Sequence, residues 1–200
     1  MNNIIRITNN TTNCYLLPSK DGWLLVDTGL PDTFSQLLQI LSQNDISVYE
    51  INYLVITHFH PDHAGLTQNL RDLGTNLIVH EEQVPYMKEL NAFYKKNPKA
   101  NFKDIIMNNI LVVSDYDSGS LLSSIGIEGE LISTPGHSDD SISLIIGEDC
   151  AFTGDLPAYA LKDSDQDLVI EDSWDMICNY RVNQIYPGHG EPYHLDLVEY

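Results

Sequence analysis

Residues 57–65 read Thr-His-Phe-His-Pro-Asp-His-Ala-Gly, so His58, His60, Asp62 and His63 fall within one short segment. An apolar run at 53–56 precedes the segment and a run with helical spacing at 66–73 follows it, which predicts a strand, a loop and a helix. In extended backbone, residues 58 and 60 project to one side, so two imidazoles can grip one ion. Pro61 fixes its own φ and biases His60 toward an extended conformation. The chain can turn there and present Asp62 and His63 in another direction, so one loop can serve two metals.

Working outward toward the N-terminus, apolar runs at 4–7, 15–17 and 23–26 alternate with turn signals and read as consecutive strands, the last ending at Asp27-Thr28-Gly29. Asp32 is read as an N-cap, because Phe34, Leu37, Leu38 and Leu41 after it follow the stripe of an amphipathic helix. Toward the C-terminus, 77–80 reads as a strand. Residues 81–109, with Pro85, Pro98 and many Lys, Asn and Tyr, read as a helical excursion, either a surface insertion or a lid. Strand-like runs recur at 110–113, 130–132, 141–146 and 151–153, then a helical stripe of Ile170, Trp174, Ile177 and Cys178, then a strand at 184–186. With no repeat, low-complexity tract or linker, residues 1–200 are expected to form one α/β domain.

Three further candidates sit where later strands end: His137 in STPGHSDDS, Asp155 in AFTGDLP and His189 in IYPGHGEP. Each adjoins a glycine, which permits the tight turn and close backbone approach that an inward-pointing ligand requires. One such histidine would ordinarily be a packing or surface residue. Three such sites after the first motif point to a metal centre.

Composition bounds the function. A chain of 200 residues with 42% hydrophobic and 20% charged residues is long enough to form its own core. The formal charge of −19 repels polyanions, so nucleic acid and anionic membrane surfaces are not expected partners. No span of about 20 apolar residues and no leader-like N-terminus is found, and the reading expects a cytoplasmic protein. Cys14, Cys150 and Cys178 show no CxxC spacing and are expected to be reduced thiols. Oligomeric state leaves no signal in the sequence.

HFHPDH, TPGH, TGD and PGHG, in this order after VDTG, resemble the signature of the metallo-β-lactamase superfamily across residues 22–190. The resemblance implies a four-layer αββα sandwich with its metals at the edge between two sheets. It implies that His58, His60 and His137 hold one divalent ion, that Asp62, His63 and His189 hold a second, and that Asp155 bridges them. Aspartate in the TGD motif is similar to glyoxalase II, the lactonases and the phosphodiesterase branches more than to true β-lactamases. Only about ten residues follow PGHG, so the C-terminal thiol-binding region of glyoxalase II is not expected. Nitrogen and oxygen ligands suit Zn²⁺ and leave Fe²⁺ and Mn²⁺ open.

The expected chemistry is attack by a metal-bound hydroxide on a small ester, thioester or lactone, with Asp62 and Asp155 as the catalytic carboxylates and Asp62 or the second metal assisting the leaving group. Two alternatives stand beside it. One is a mononuclear iron enzyme oxidising persulfides with His58, His137 and Asp155; the other is a non-catalytic, metal-dependent ligand-binding module. Asp27 resembles a family position that supports the metal loop, and it could accept a ligand histidine's free N–H. His80 and His194 match no ligand motif and are expected to pack. Tyr159 is expected to line the cleft, and the acidic stretch 163–175 reads as a solvated face containing a helix.

Overall fold

The computed structural model describes residues 4–161 and 168–195. Two sheets face each other. The first has the order β1 (Ile5–Asn9), β2 (Thr12–Ser19), β3 (Gly22–Val26), β4 (Ile51–Val55), β5 (Asn76–His80) and β6 (Leu111–Val113). Its first three strands form an antiparallel meander, and β3 through β6 run parallel. The second sheet contains β7 (Gly129–Ser133), β8 (Ile142–Ile146), β9 (Cys150–Gly154), β10 (Gln184–Pro187) and β11 (Tyr193–His194), in the order β11-β10-β9-β8-β7.

Strand alternation decides what each face covers. Tyr15, Leu17, Leu24 and Val26 point into the space between the sheets, where they meet Leu131, Leu144, Ile146 and Phe152. The intervening Cys14, Leu16 and Leu25 face the other way, onto α1 (Phe34–Gln43) and α4 (Val84–Lys96) through Leu37, Leu41, Met87 and Leu90. On the far side of the second sheet, Ile145, Ala151 and Ile185 pack against Ile170, Trp174 and Ile177 of α6 (Leu168–Asn179). Helices, sheet, sheet and helix make the four-layer αββα sandwich. Among the described residues no helix is long and apolar enough to cross a membrane.

Local differences from the sequence reading have identifiable causes. Asp32 is not an N-cap: it lies in a 3-10 turn at Pro31–Thr33, and its carboxylate accepts the Asn101 N–H at 3.1 Å. The helix expected over 66–73 is the short α3 (Thr67–Arg71), and a further short helix, α2 (Pro61–Ala64), starts at the motif's own proline within the segment read as a loop. The additional α5 (Ser118–Ser124) has almost no apolar stripe. It is held by tertiary contacts, since buried Ser118 exchanges hydrogen bonds with the backbone of Leu131 in β7 at 3.0 and 3.2 Å.

Within 81–109, α4 forms part of the outer helical layer. The return segment is tied down by the Arg71 guanidinium, which donates to the carbonyls of Ile106, Asn108 and Asn109, and by a two-way side-chain clasp between Asn91 and the backbone of Ile105. The part of the acidic stretch at 163–167 lies outside the described residues.

Phe152 is fully buried between the sheets, edge-on to Tyr15 at 5.1 Å and stacked on Tyr186 at 4.9 Å. Phe152→Ala is therefore expected to destabilise the protein by about 3–5 kcal/mol. Urea denaturation of wild type and variant checks this; a loss under about 1 kcal/mol would mean that the space between the sheets is less tightly packed than described.

Candidate metal centre

All seven candidate ligands converge at one edge of the sandwich, where strands of both sheets end. His58, His60, Asp62 and His63 follow β4; His137 follows β7; Asp155 directly follows β9; and His189 follows β10. Three donor groups form there, each with its donor atoms within 4.8 Å of one another: His58, His60 and His137; His58, His63 and Asp155; and Asp62, His63 and His189. Asp155 lies across them. Its Oδ1 is 3.3 Å from His63 Nε2, and its Oδ2 is 3.5 Å from His189 Nε2, 3.7 Å from His137 Nε2 and 4.0 Å from His58 Nε2. Asp62 Oδ2 lies 3.2 Å from His189 Nε2 and 3.7 Å from His63 Nε2.

The opposite ring nitrogens of three of these histidines are committed to protein acceptors, which orients the rings. His63 Nδ1–H donates to Asp27 Oδ2 at 2.8 Å, and His189 Nδ1–H donates to the Thr11 carbonyl at 2.7 Å. His58 Nδ1 lies 3.2 Å from Thr57 Oγ1, and the Thr57 hydroxyl donates to Asp27 Oδ2 at 2.8 Å. Each ring thus keeps Nε2 for the centre. His58 Nε2, His63 Nε2 and Asp155 Oδ1 are buried with no hydrogen-bond partner. Unsatisfied buried polar atoms are costly, and three aimed at one another fit a cation that they would share.

Electrostatics follow the same geometry in the metal-free protein. Burial, reinforced by neighbouring imidazoles, holds His58 well below the ordinary histidine range, leaving it neutral. Burial also opposes charge on His63, but the Asp27 and Asp155 carboxylates overcome it and lift that imidazole to about 10. For Asp155, burial works against ionisation while His63, His189 and His137 favour it, and the net direction is downward.

Several supporting residues carried little or no signal in the sequence. Gln83 is fully buried and its amide donates to the carbonyls of Ile56, Thr57 and Asp140, tying the metal loop to the 134–141 loop. Asp140 accepts the Phe59 N–H at 2.7 Å. Asn13, on β2, donates to the carbonyls of Pro187 and Gly190 and so holds the loop that carries His189. Thr57 and Asp140 adjoin motifs and could have been suspected, whereas Gln83 and Asn13 stand in ordinary sequence surroundings.

His80 and His194 lie outside the three donor groups. His80 is buried and its Nε2–H donates to Asp115 at 3.0 Å, while exposed His194 faces the Asn183 carbonyl. Tyr159 packs edge-on against Trp174 and, through its backbone N–H, meets the Tyr193 hydroxyl. Cys14, Cys150 and Cys178 form no disulfide.

The sequence model of the metallo-beta-lactamase superfamily matches residues 7–174. The chain belongs to the metallo-β-lactamase superfamily. It is 31% identical over 186 residues to the beta-lactamase-like protein 2 homolog of Caenorhabditis elegans, covering 90% of this chain and 56% of that one. It is 31% identical over 147 residues to the atrochrysone carboxyl ACP thioesterase of Aspergillus chevalieri, covering 72% of this chain and 39% of that one. The chain thus spans about half the length, or less, of these curated relatives. A probable metallo-hydrolase of Methanocaldococcus jannaschii is 29% identical, with 90% of this chain and 88% of that one covered. Among solved structures, a metallo-beta-lactamase family protein of Thermus thermophilus superposes with a TM-score of 0.72 at 21% identity, covering 96% of this chain and 74% of that one. In this superfamily member two sheets carry the fold.

Two measurements probe the centre. A Cβ added to Gly188 would lie 2.6 Å from both Asp155 Oδ1 and His63 Cε1, and His63 is pinned from behind by Asp27. Gly188→Ala is expected to weaken metal binding at least about tenfold, whereas His194→Ala leaves it unchanged. Competition with a chromophoric chelator reads both, and equal effects would contradict the geometry.

The second measurement follows the proton on His63. With its value raised to about 10, this imidazole carries a proton at pH 8 in the metal-free protein and must lose it to bind metal. Zinc titration by calorimetry at pH 8 in two buffers of different ionisation enthalpy is expected to show proton release from this group, with affinity rising as the pH is raised toward 10. No buffer dependence at pH 8 would show that His63 is already neutral.

Proposed function

We propose that the protein is a dinuclear metallo-hydrolase acting on a small ester, thioester or lactone. The observation that carries the reading is the donor arrangement, in which Asp155 faces both the His58–His137 side and the His63–His189 side. His58, His60 and His137 would hold one ion; Asp62, His63 and His189 would hold the other; Asp155 would bridge them. Bound there, two divalent ions (Zn²⁺, with Fe²⁺ or Mn²⁺ also suited to nitrogen and oxygen ligands) supply Lewis acidity that ionises water near neutral pH and polarises an acyl carbonyl.

The chain's own groups do the rest. Asp155, with its side chain 16% exposed, is fixed among imidazoles and holds the two halves of the centre together. Asp62 is more open, at 31%, and is the carboxylate placed to take a proton from attacking water and return it to the leaving oxygen or sulfur. Asp27 and Thr57 keep the rings in register from behind. The thioesterase among the relatives supports acyl transfer to water.

The persulfide-oxidising alternative needs one iron on His58, His137 and Asp155; the compact second group of Asp62, His63 and His189 favours two ions. A complete ligand set with an open carboxylate supports an enzyme over a passive binding module. Ten basic residues against 29 acidic ones disfavour nucleic acid. Several of the ten are already engaged: Arg71 with backbone carbonyls, Arg6 with Glu191, Lys95 with Asp104 and Lys103 with Asp72. The reading includes a cytoplasmic location.

Elemental analysis of protein purified without chelator is expected to give two metals per chain, with turnover of fluorogenic esters, thioesters or lactones and none of labelled RNA or DNA at low salt. Asp155→Ala is expected to lower both metal content and kcat/KM, the latter by at least about a hundredfold. A stoichiometry of one that added metal cannot raise, or efficient cutting of nucleic acid alone, would overturn the proposal.

A further inference from the structure

A groove of about 370 Å³ runs from His60 and Ser138 outward between the metal loop and α4. That size lies within the roughly 300–1,000 Å³ range of small-molecule sites. Its walls are apolar: Phe59 and Pro61 from the loop, and Tyr86, Leu90 and Phe93 from α4. Phe59 and Leu90 are buried, so the floor is rigid, whereas Phe93 is 49% exposed on the outer wall. Met87, Leu90 and Tyr94 supply this helix's core-facing stripe; Phe93 lies outside it, touching the Tyr94 ring edge-on at 5.1 Å while its outer face borders the groove.

Charge in the groove has one sign. Its lining includes Glu89 and Asp140 and contains no Lys or Arg. The Tyr86 phenol is held above its ordinary value, first by partial desolvation and then by the carboxylates of Asp139, Asp140, Glu89 and Glu82, which report a negative local field. An anionic substrate arm would be repelled there, while a neutral alkyl or aryl arm would gain from the rings without meeting an unpaired charge.

We propose that this groove binds the uncharged, apolar acyl arm of the substrate, with its carbonyl at the His60 end, so that the enzyme selects neutral medium-chain acyl groups over anionic ones. This inference rests on the hydrolytic reading above for its catalytic consequence, while occupancy of the groove can be tested without turnover.

Two experiments on the metal-loaded protein separate the layers. In the first, kcat/KM is measured for neutral acetyl, butyryl and hexanoyl esters and for a succinyl ester. It is expected to rise up to about fourfold per added methylene, mainly through KM, and to fall for succinyl relative to butyryl. Phe93→Ala is expected to flatten the chain-length series, and its exposed position leaves the fold intact. In the second, ¹⁵N-labelled protein is titrated with hexanamide and with adipamate, whose carboxylate stands at the far end of the arm. Hexanamide is expected to shift the amides of residues 59 and 86–93, and adipamate to shift them less.

Turnover with no chain-length preference, or a preference that Phe93→Ala leaves intact, would overturn the groove assignment while the hydrolase stands. So would adipamate shifting residues 86–93 as strongly as hexanamide. Hexanamide shifts confined to the groove, with no ester, thioester or lactone turned over, would support the groove and remove the hydrolytic reading.

Discussion

The centre depends on one buried carboxylate. Asp27 is 1% exposed and takes three hydrogen bonds, from the Thr57 N–H, the Thr57 hydroxyl and His63 Nδ1–H, each at 2.8 Å. It stands at the end of β3 with φ at +60°, a left-handed conformation that aspartate tolerates better than most side chains. That turn directs the carboxylate across the end of β4 and under the metal loop. Without it, the His63 ring would lose its orientation and the Thr57 hydroxyl its acceptor, and with that hydroxyl the support behind His58. An isolated buried charge would be unfavourable, but here every partner donates to it, so desolvation is offset at the place where ligand geometry must be fixed.

From this anchor the rest of the edge is assembled by side chains that bind backbone. Thr28 accepts the Leu66 N–H and donates to the His63 carbonyl, fixing the loop's exit, and the Thr12 hydroxyl holds the Asp62 carbonyl. Asn13 and the Tyr15 hydroxyl reach from the first sheet to the Pro187 carbonyl on the second. These last two are cross-sheet links, and they help to hold the candidate ligands of the two sheets at a set separation.

Much of this was legible in the sequence, for physical reasons. Ligand motifs are local, because each loop must combine a turn, a glycine or proline and a donor within a few residues. Strand alternation such as Cys14-Tyr15-Leu16-Leu17 follows from a sheet covered on both faces, and it reads directly as a run of apolar residues. What stayed hidden depends on tertiary partners. Ser118 supports a helix only because Leu131 lies opposite it, Asp32 serves a distant amide instead of its own helix, and Gln83 joins the adjacent Ile56 and Thr57 carbonyls to that of Asp140, far along the chain. Nothing in the neighbouring residues encodes such pairings.

The division of the candidate ligands between the two sheets also sets an order during synthesis. His58, His60, Asp62 and His63 leave the ribosome well before His137, Asp155 and His189. At about 5–20 residues per second, the interval between His63 and His189 is roughly 6–25 s. Throughout that time the first sheet can form its meander and parallel strands, with Asp27 already orienting His63, while its apolar inner face waits for the second. The nascent chain therefore offers four of the seven candidate ligands on an uncovered sheet, and their meeting with the other three coincides with the closing of the sandwich.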